Sequence, residues 1–236
     1  MSETKVEHRR TYAEMTVDSP NPLARYSHRA RILRSINTIK RHLDPKGVFV
    51  DFGAGTGLLL YTVRQLFPGA ELIGVEPHLE CLFPGSARYV PSLSDLPDCS
   101  VDVIGGFEVC EHLYAHELRD FLGDCRRILR PEGHLILSVP IMHGLTVGLK
   151  IINHLRNGGS SSYRFLDVCR ATFGLSVTPD PDPRGSHKGF DFRRFSKTVE
   201  GLFKVESRFF SPLESAPWFL NSQVFLICVP IAIGEA

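Results

Sequence analysis

Residues 48–57 combine residue types and a spacing that suit the binding of a small ligand; they read Val-Phe-Val-Asp-Phe-Gly-Ala-Gly-Thr-Gly. Three β-prone residues lead into Asp51, and glycines follow at alternate positions, Gly53, Gly55 and Gly57. An apolar stretch with helical spacing comes next. A buried strand that ends in a glycine-rich turn and a helix N-terminus is typical of nucleotide binding. Glycine allows close approach of the backbone and a positive φ, and the helix end offers free N–H donors.

A second acidic residue, Glu76, ends the next predicted strand. Its spacing from the turn is about that at which a carboxylate meets ribose hydroxyls in a doubly wound sheet. A dinucleotide fits less well, because only Thr56 separates Gly55 from Gly57 and because Asp51 would repel a pyrophosphate. A carboxylate at position 51 suits an ammonium group. A ligand with an amino-acid end and an adenosine end, such as S-adenosylmethionine, would satisfy both Asp51 and Glu76.

Strands and helices alternate along the chain, which favours an α/β fold with a parallel sheet. We expect strands at 47–52, 71–76, 87–90, 101–107, 134–139, 203–209 and 223–229. An amphipathic helix is expected at 113–129, with Pro131 and Gly133 ending it. Helices are also expected at 145–156, 163–173 and 192–202.

The chain of 236 residues is long enough for one domain with additions, and we expect a single domain over 1–236. Its expected parts are a charged tail (1–20), an N-terminal helix (21–45), a cofactor-binding half (46–140), an insertion (141–190) and a C-terminal helix with strands (191–236). The insertion is longer than an ordinary connection, so we interpret it as a lid or substrate region.

The order of motifs over residues 47–140 resembles the class I S-adenosylmethionine-dependent methyltransferases, in the small-molecule branch often called type 11. The motifs are the glycine turn, Glu76, and the segments 93–97, 100–104, 108–113, 127–133 and 135–140. Beyond residue 140 the resemblance is thinner and rests on 187–191. It implies a Rossmann-like, seven-stranded, mostly parallel sheet with an antiparallel last strand and a helical insertion after the fifth strand.

The resemblance also implies S-adenosyl-L-methionine as the cofactor and a set of residues that would contact it. These are Asp51, Gly53, Ala54, Gly55, Gly57, Glu76, Pro77, Ser92, Phe107, Glu108 and His112. Ser92 stands where the family often has an acidic residue for the adenine amino group. Glu108 ends the fourth strand and is the member that could instead point at the acceptor.

Two histidines are candidate general bases for an acceptor hydroxyl, since a histidine can accept a proton near neutral pH. His143 follows the fifth strand, and His187 lies in a glycine-containing loop with Asp191 four residues on, where it could fix the tautomer. Glu111, His112 and His116 suggest a metal site, since the two histidines are one helical turn apart, but the H-E-x-x-H pattern of a zinc protease is absent. We therefore predict no metal site.

Bulk properties limit the possible partners and the compartment. The formal net charge is +1, and no Asn-Pro-Pro-Tyr or Asp-Pro-Pro-Tyr follows the fourth strand, so we expect no nucleic-acid partner. The apolar run 224–233 is too short to span a bilayer. A charged, polar start without a signal peptide and six cysteines without paired C-x-x-C spacing favour a reducing, cytoplasmic setting.

The sequence thus predicts methyl transfer to a small-molecule acceptor, as O-methylation in secondary, glycan or lipid metabolism. The main alternative is a methyltransferase-like cofactor-binding or scaffold protein without its own catalysis, because a fold does not fix a function. A nicotinamide oxidoreductase is disfavoured by the glycine spacing. The acceptor, its reacting atom, the use of a general base and the oligomeric state stay open.

Overall fold

The computed structural model describes residues 22–76, 83, 85–148, 151 and 163–231. Its strands are β1 (Val48–Phe52), β2 (Glu71–Val75), β3 (Arg88–Val90), β4 (Val101–Phe107), β5 (Leu129–Pro140), β6 (Phe203–Ser211) and β7 (Gln223–Pro230). In the described part of the chain they form one seven-stranded sheet, in the order β3-β2-β1-β4-β5-β7-β6. The pairs among β1 to β5 are parallel, and β7 is antiparallel to both β5 and β6. The expected Rossmann-like sheet with an antiparallel last strand is confirmed.

Five helices are described over their whole length: α1 (Pro22–His42), α2 (Leu58–Leu66), α3 (Ala115–Ile128), α4 (Phe165–Thr172) and α5 (Phe192–Glu200). Residues 145–148 and 151 are also helical, and the remainder of the helix expected at 145–156 lies outside the described residues. The insertion after the fifth strand is therefore helical, as predicted. No helix in the described ranges is long and apolar enough to cross a bilayer.

The sheet is covered on both faces, which explains why its strands are apolar at consecutive positions. Phe49 and Leu72 lie in a hydrophobic cluster with residues of α1 and α2, whereas Val50 and Ile73 lie in another with residues of α3 and α5. Neighbouring residues of a strand point to opposite faces, so a strand between two helical layers needs apolar residues on both.

The fifth strand begins five residues earlier than the sequence suggests, at Leu129 instead of His134. Leu129 pairs with Val101, and the pairing then shifts so that Val103 is opposite His134. The preceding helix α3 ends at Ile128 with Leu129 as its C-cap, so Pro131 and Gly133 follow directly after its end, as expected. An irregularity in the ladder accommodates proline and glycine, since residues there need not donate to the neighbouring strand.

The strand order determines where a ligand can bind. From β1 the chain proceeds to β2 and β3 on one side and then crosses to β4 on the other. Beside such a reversal, the loops that leave the carboxyl ends of neighbouring parallel strands separate and leave a crevice. The residues after β1, β2 and β4 therefore share one edge of the sheet, and they include the glycine turn, Glu76 and Glu108.

The packing of β1 predicts a large stability loss when its central aromatic ring is removed. Phe49 is 0% exposed, and we expect Phe49→Ala to lower the free energy of unfolding by about 3–5 kcal/mol. Phe165 is 81% exposed, so Phe165→Ala should change the free energy of unfolding by no more than about 0.5 kcal/mol. Urea unfolding of both variants measures this, and equal losses would contradict the assignment of the core.

Candidate cofactor site

The turn after β1 depends on backbone conformations that favour glycine. Gly53, Gly55 and Gly57 have φ angles of 76°, 50° and 81°. These lie in the left-handed region, which residues with a β-carbon rarely adopt. The N–H groups of Gly53 and Ala54 donate to the carbonyl oxygen of Val75 at 2.9 and 3.3 Å. The turn is therefore bound to the last residue of β2.

The glycines of this turn face different surroundings. A β-carbon built on Gly53 would lie 2.7 Å from the side chain of Val109. One built on Gly55 would meet no described atom within 4 Å. Gly53 is thus required by packing, whereas Gly55 borders open space at the carboxyl edge of the sheet, where a ligand fits.

Glu76 lies directly at this open turn. Its Oε2 accepts a hydrogen bond from the backbone N–H of Gly55 at 3.0 Å. The contact places a half-buried carboxylate at the end of β2, where the sequence predicted it.

Asp51 is a buried acid at the end of β1, with 4% of its surface exposed. Burial, and next the negative charge of Glu76, raise the pKa of Asp51 to about 8. The carboxyl group is therefore largely protonated at neutral pH. A cation beside it would stabilise the carboxylate and lower this pKa again.

Glu108 occupies a strained position at the end of β4, with a φ angle of 54°. Its N–H donates to the carbonyl oxygen of Ser138 at 2.9 Å. Its carboxylate lies 3.4 Å from the guanidinium of Arg31 on α1, and these side chains are only 15% and 12% exposed. Non-glycine residues at positive φ cluster at functional sites. Sequence reasoning did not single out Arg31, because its place among several arginines also fits a solvated helix face.

The insertion brings His187 against His112, at the same edge of the sheet. Their Nε2 atoms are 3.1 Å apart, and Nδ1 of His112 lies 3.1 Å from the carbonyl oxygen of Pro183. His116, one turn along the chain, is instead exposed and stacks against Tyr114.

Asp191, the residue suggested to orient His187, forms an ion pair with Arg193. Both carboxylate oxygens of Asp191 bind the guanidinium of Arg193, at 2.8 and 2.9 Å. The suggestion that Asp191 fixes the tautomer of His187 stays a prediction, and the contact that the structure gives this carboxylate is with Arg193. A bidentate partner two residues away, at the start of a helix, satisfies the carboxylate locally.

His143 is wholly buried, and burial lowers the pKa of its imidazole. Neither ring nitrogen has a hydrogen-bond partner in the described part of the chain. A proton-transfer role for His143 would require its surroundings to open.

The remaining predicted cofactor residues lie as follows. The Ser92 hydroxyl accepts hydrogen bonds from the backbone N–H and the hydroxyl of Ser94, at 3.2 and 2.8 Å, so it caps a local turn. The Phe107 ring packs against the cluster on the α1 and α2 side of the sheet. Pro77 lies outside the described residues.

Part of this chain is similar in sequence to known proteins. Residues 50–135 match a family model described as a methyltransferase domain. A probable S-adenosylmethionine-dependent methyltransferase of Mycobacterium tuberculosis is 32% identical over 90 residues, which are 37% of this chain and 32% of the relative. Another, of Mycolicibacterium smegmatis, is 47% identical over 45 residues, 19% of this chain and 17% of the relative. The chain thus spans a third or less of the length of these curated relatives.

Solved structures extend the likeness to almost the whole chain at the level of fold. A protein of Pyrococcus horikoshii OT3 matches with a TM-score of 0.59 and 14% identity, over 93% of this chain and 96% of that one. A SAM dependent methyltransferase from Aquifex aeolicus matches with a TM-score of 0.55 and 13% identity, over 91% and 95%. Magnesium protoporphyrin IX methyltransferase of Synechocystis PCC 6803, solved with bound SAH, matches with a TM-score of 0.51 and 15% identity, over 90% and 89%.

Together the family match, the relatives and the sheet order confirm the resemblance to class I methyltransferases. The chain has the fold of that class, and its matched segment carries the glycine turn and Glu76.

The buried carboxyl group predicts how stability depends on pH. The pKa of Asp51 is about 8 in the folded chain and near the ordinary 3.8 when unfolded, so between these values only the folded state holds this proton. Stability contributed by this group therefore falls as pH rises, by about 1.4 kcal/mol per pH unit until about pH 8. Asp51→Asn should lack this loss.

Urea unfolding of both proteins at intervals from pH 5 to pH 9 measures the difference. The free energy of unfolding of Asp51→Asn, relative to that of the wild type, should increase up to about pH 8 and stay constant above it. Parallel profiles over the whole range would show that Asp51 is ionised in the unliganded protein.

Proposed function

We propose that this chain binds S-adenosyl-L-methionine and transfers its methyl group to a small-molecule acceptor. The observation that carries the proposal is the open, left-handed turn at Gly55, which lies between two acids at the reversal point of the sheet. Curated relatives of part of this chain are named as probable S-adenosylmethionine-dependent methyltransferases.

The residues present suit the two ends of this cofactor. Asp51 is a buried acid that a ligand ammonium group would return to its ionised form. Glu76 is a half-buried carboxylate that can accept hydrogen bonds from the two ribose hydroxyls. Gly55 leaves space for the ligand to lie between them. Charge-assisted hydrogen bonds of this kind are the stronger ones in proteins.

When bound, the cofactor supplies an electrophilic methyl group on a sulfonium. The chain must hold the acceptor in line with that group, so proximity and orientation provide most of the rate. Glu108 lies at the end of β4, at the edge that bears the turn, and is paired with Arg31 of α1; we expect this pair to orient the acceptor.

A hydroxyl acceptor, as in O-methylation of secondary, glycan or lipid metabolites, also needs to lose a proton. His187 is the better candidate base, because it is partly exposed and lies at the carboxyl edge of the sheet, whereas His143 is wholly buried. The alternative, a cofactor-binding protein without catalysis, keeps the same turn and is separated by a turnover assay with methyl-labelled cofactor and a metabolite extract.

The open turn predicts that a side chain at position 55 blocks the cofactor. Gly55→Val should weaken the binding of S-adenosylhomocysteine by at least a hundredfold, since the side chain would occupy the ligand's space. Gly85→Val is the matched control: Gly85 also has a positive φ, 83°, and no described atom within 4 Å of a built β-carbon. It precedes the amino end of β3, so it carries the same backbone strain away from the site.

Isothermal titration of the wild type and both variants provides the measurement, with NAD as a second ligand. Wild type and Gly85→Val should bind S-adenosylhomocysteine and not NAD. Retained binding in Gly55→Val, or binding of NAD alone, would contradict the cofactor assignment.

The carboxylate at the end of β2 predicts a separate effect on affinity. Glu76→Gln keeps the shape and can still accept from Gly55, but it loses the charge. We expect S-adenosylhomocysteine to bind about tenfold more weakly or worse, because a hydrogen bond to a charged group contributes about 1.5–3 kcal/mol. Glu71 begins the same strand, is exposed and pairs with Arg88, so Glu71→Gln should bind like the wild type. Equal affinities of the two variants would remove Glu76 from the site.

A further inference from the structure

We propose that Glu111, His112 and His187 bind one divalent transition-metal ion. One carboxylate oxygen and one ring nitrogen from each histidine all lie within 4.8 Å of one another. Glu111 and His112 belong to the short helical turn Cys110–His112 that follows β4, and His187 belongs to the loop that precedes α5.

The two imidazoles have the geometry of neighbouring ligands on one ion. Their Nε2 atoms are 3.1 Å apart. Two nitrogens that each bind a cation at about 2.1 Å, at a right angle to one another, are about 3.0 Å apart. Nδ1 of His112 lies 3.1 Å from the carbonyl oxygen of Pro183, which accepts its hydrogen. This contact leaves Nε2 as the unprotonated nitrogen of a neutral His112, as in many metal sites.

Other contacts hold the His187 loop in place, so the pair does not depend on the histidines alone. The hydroxyl of Tyr114 donates to the carboxylate of Asp182 at 3.1 Å. The guanidinium of Arg184 forms an ion pair with Glu117 on α3 and lies 5.2 Å from the centre of the Tyr114 ring. The loop is thereby fixed against the segment after β4, and His187 is presented to His112.

The burial of the third ligand also favours a cation. Glu111 is only 3% exposed. Removing a carboxylate from water is costly, and a bound cation offsets much of that cost. The ion would therefore stabilise the turn that connects β4 to α3.

The donor set selects the class of metal. Two imidazoles and one carboxylate suit manganese, iron, cobalt, nickel or zinc, whereas calcium and magnesium prefer oxygen ligands alone. Three protein ligands leave coordination positions open. If the proposed methyl transfer is right, an acceptor oxygen can occupy one of them, where the metal would lower its pKa; His187 would then be a metal ligand instead of the base.

From the sequence we considered Glu111, His112 and His116 together and predicted no metal site; the structure replaces His116 with His187. The structure directs His116 to the surface, where it stacks on Tyr114. The partner of His112 comes instead from 75 residues further along the chain.

The experiment is a titration of the chelator-treated, dialysed protein with cobalt(II), followed by calorimetry and by visible absorption of the bound ion. The wild type should bind a single equivalent. His112→Ala and His187→Ala should each bind at least tenfold more weakly and lose the absorption of the coordinated ion. His116→Ala is the matched control, one turn from His112 and outside the cluster, and should bind like the wild type.

The unfolding transition of every variant is measured on the same samples, to show that each is folded, and binding of S-adenosylhomocysteine is measured on the wild type. No cobalt binding by the wild type, or unchanged binding in folded His187→Ala, would overturn the metal site and leave the proposed methyl transfer standing. Cobalt binding that depends on His112 and His187 supports the site, even if S-adenosylhomocysteine does not bind and the methyl-transfer proposal fails.

Discussion

The attachment of the glycine turn to the end of β2 is the constraint on which the rest of the site depends. Two N–H groups of the turn donate to Val75, and a third, that of Gly55, donates to Glu76. The three glycines adopt a positive φ, which turns the chain back over the sheet edge before α2 begins. The same conformation keeps side chains away from the crevice. The glycine turn thus connects the ends of β1 and β2 and leaves an open surface for a ligand.

The site carries an energetic cost in the unliganded protein. Asp51 is buried beside another acid, and the pKa that results, about 8, shows that its charged form is disfavoured there. Glu108 adds a strained backbone position at the next strand end. Stability is lost at such places when a site is shaped for a partner of the opposite charge. Burial beside Glu76 makes the charge of Asp51 unfavourable in the unliganded protein. The same surroundings would favour contact with a ligand ammonium group.

Local features of this protein could be predicted from the sequence, and contacts between distant segments could not. The turn and Glu76 were predictable because a strand, a glycine-rich turn and an acid at a set spacing belong to one continuous segment. The start of β5 was missed, since pairing with β4 overrides the usual effect of proline. The meeting of His112 with His187, and of Arg31 with Glu108, depends on how the insertion and α1 fold back onto the sheet.

A crystal structure with S-adenosylhomocysteine would show whether the cofactor binds at the glycine turn between Asp51 and Glu76. We expect the ligand to lie across Gly55, with its ammonium group next to Asp51 and both ribose hydroxyls within hydrogen-bond distance of Glu76, about 2.6–3.2 Å. A ligand bound elsewhere on the chain, or bound at this edge without contact to either acid, would contradict this expectation.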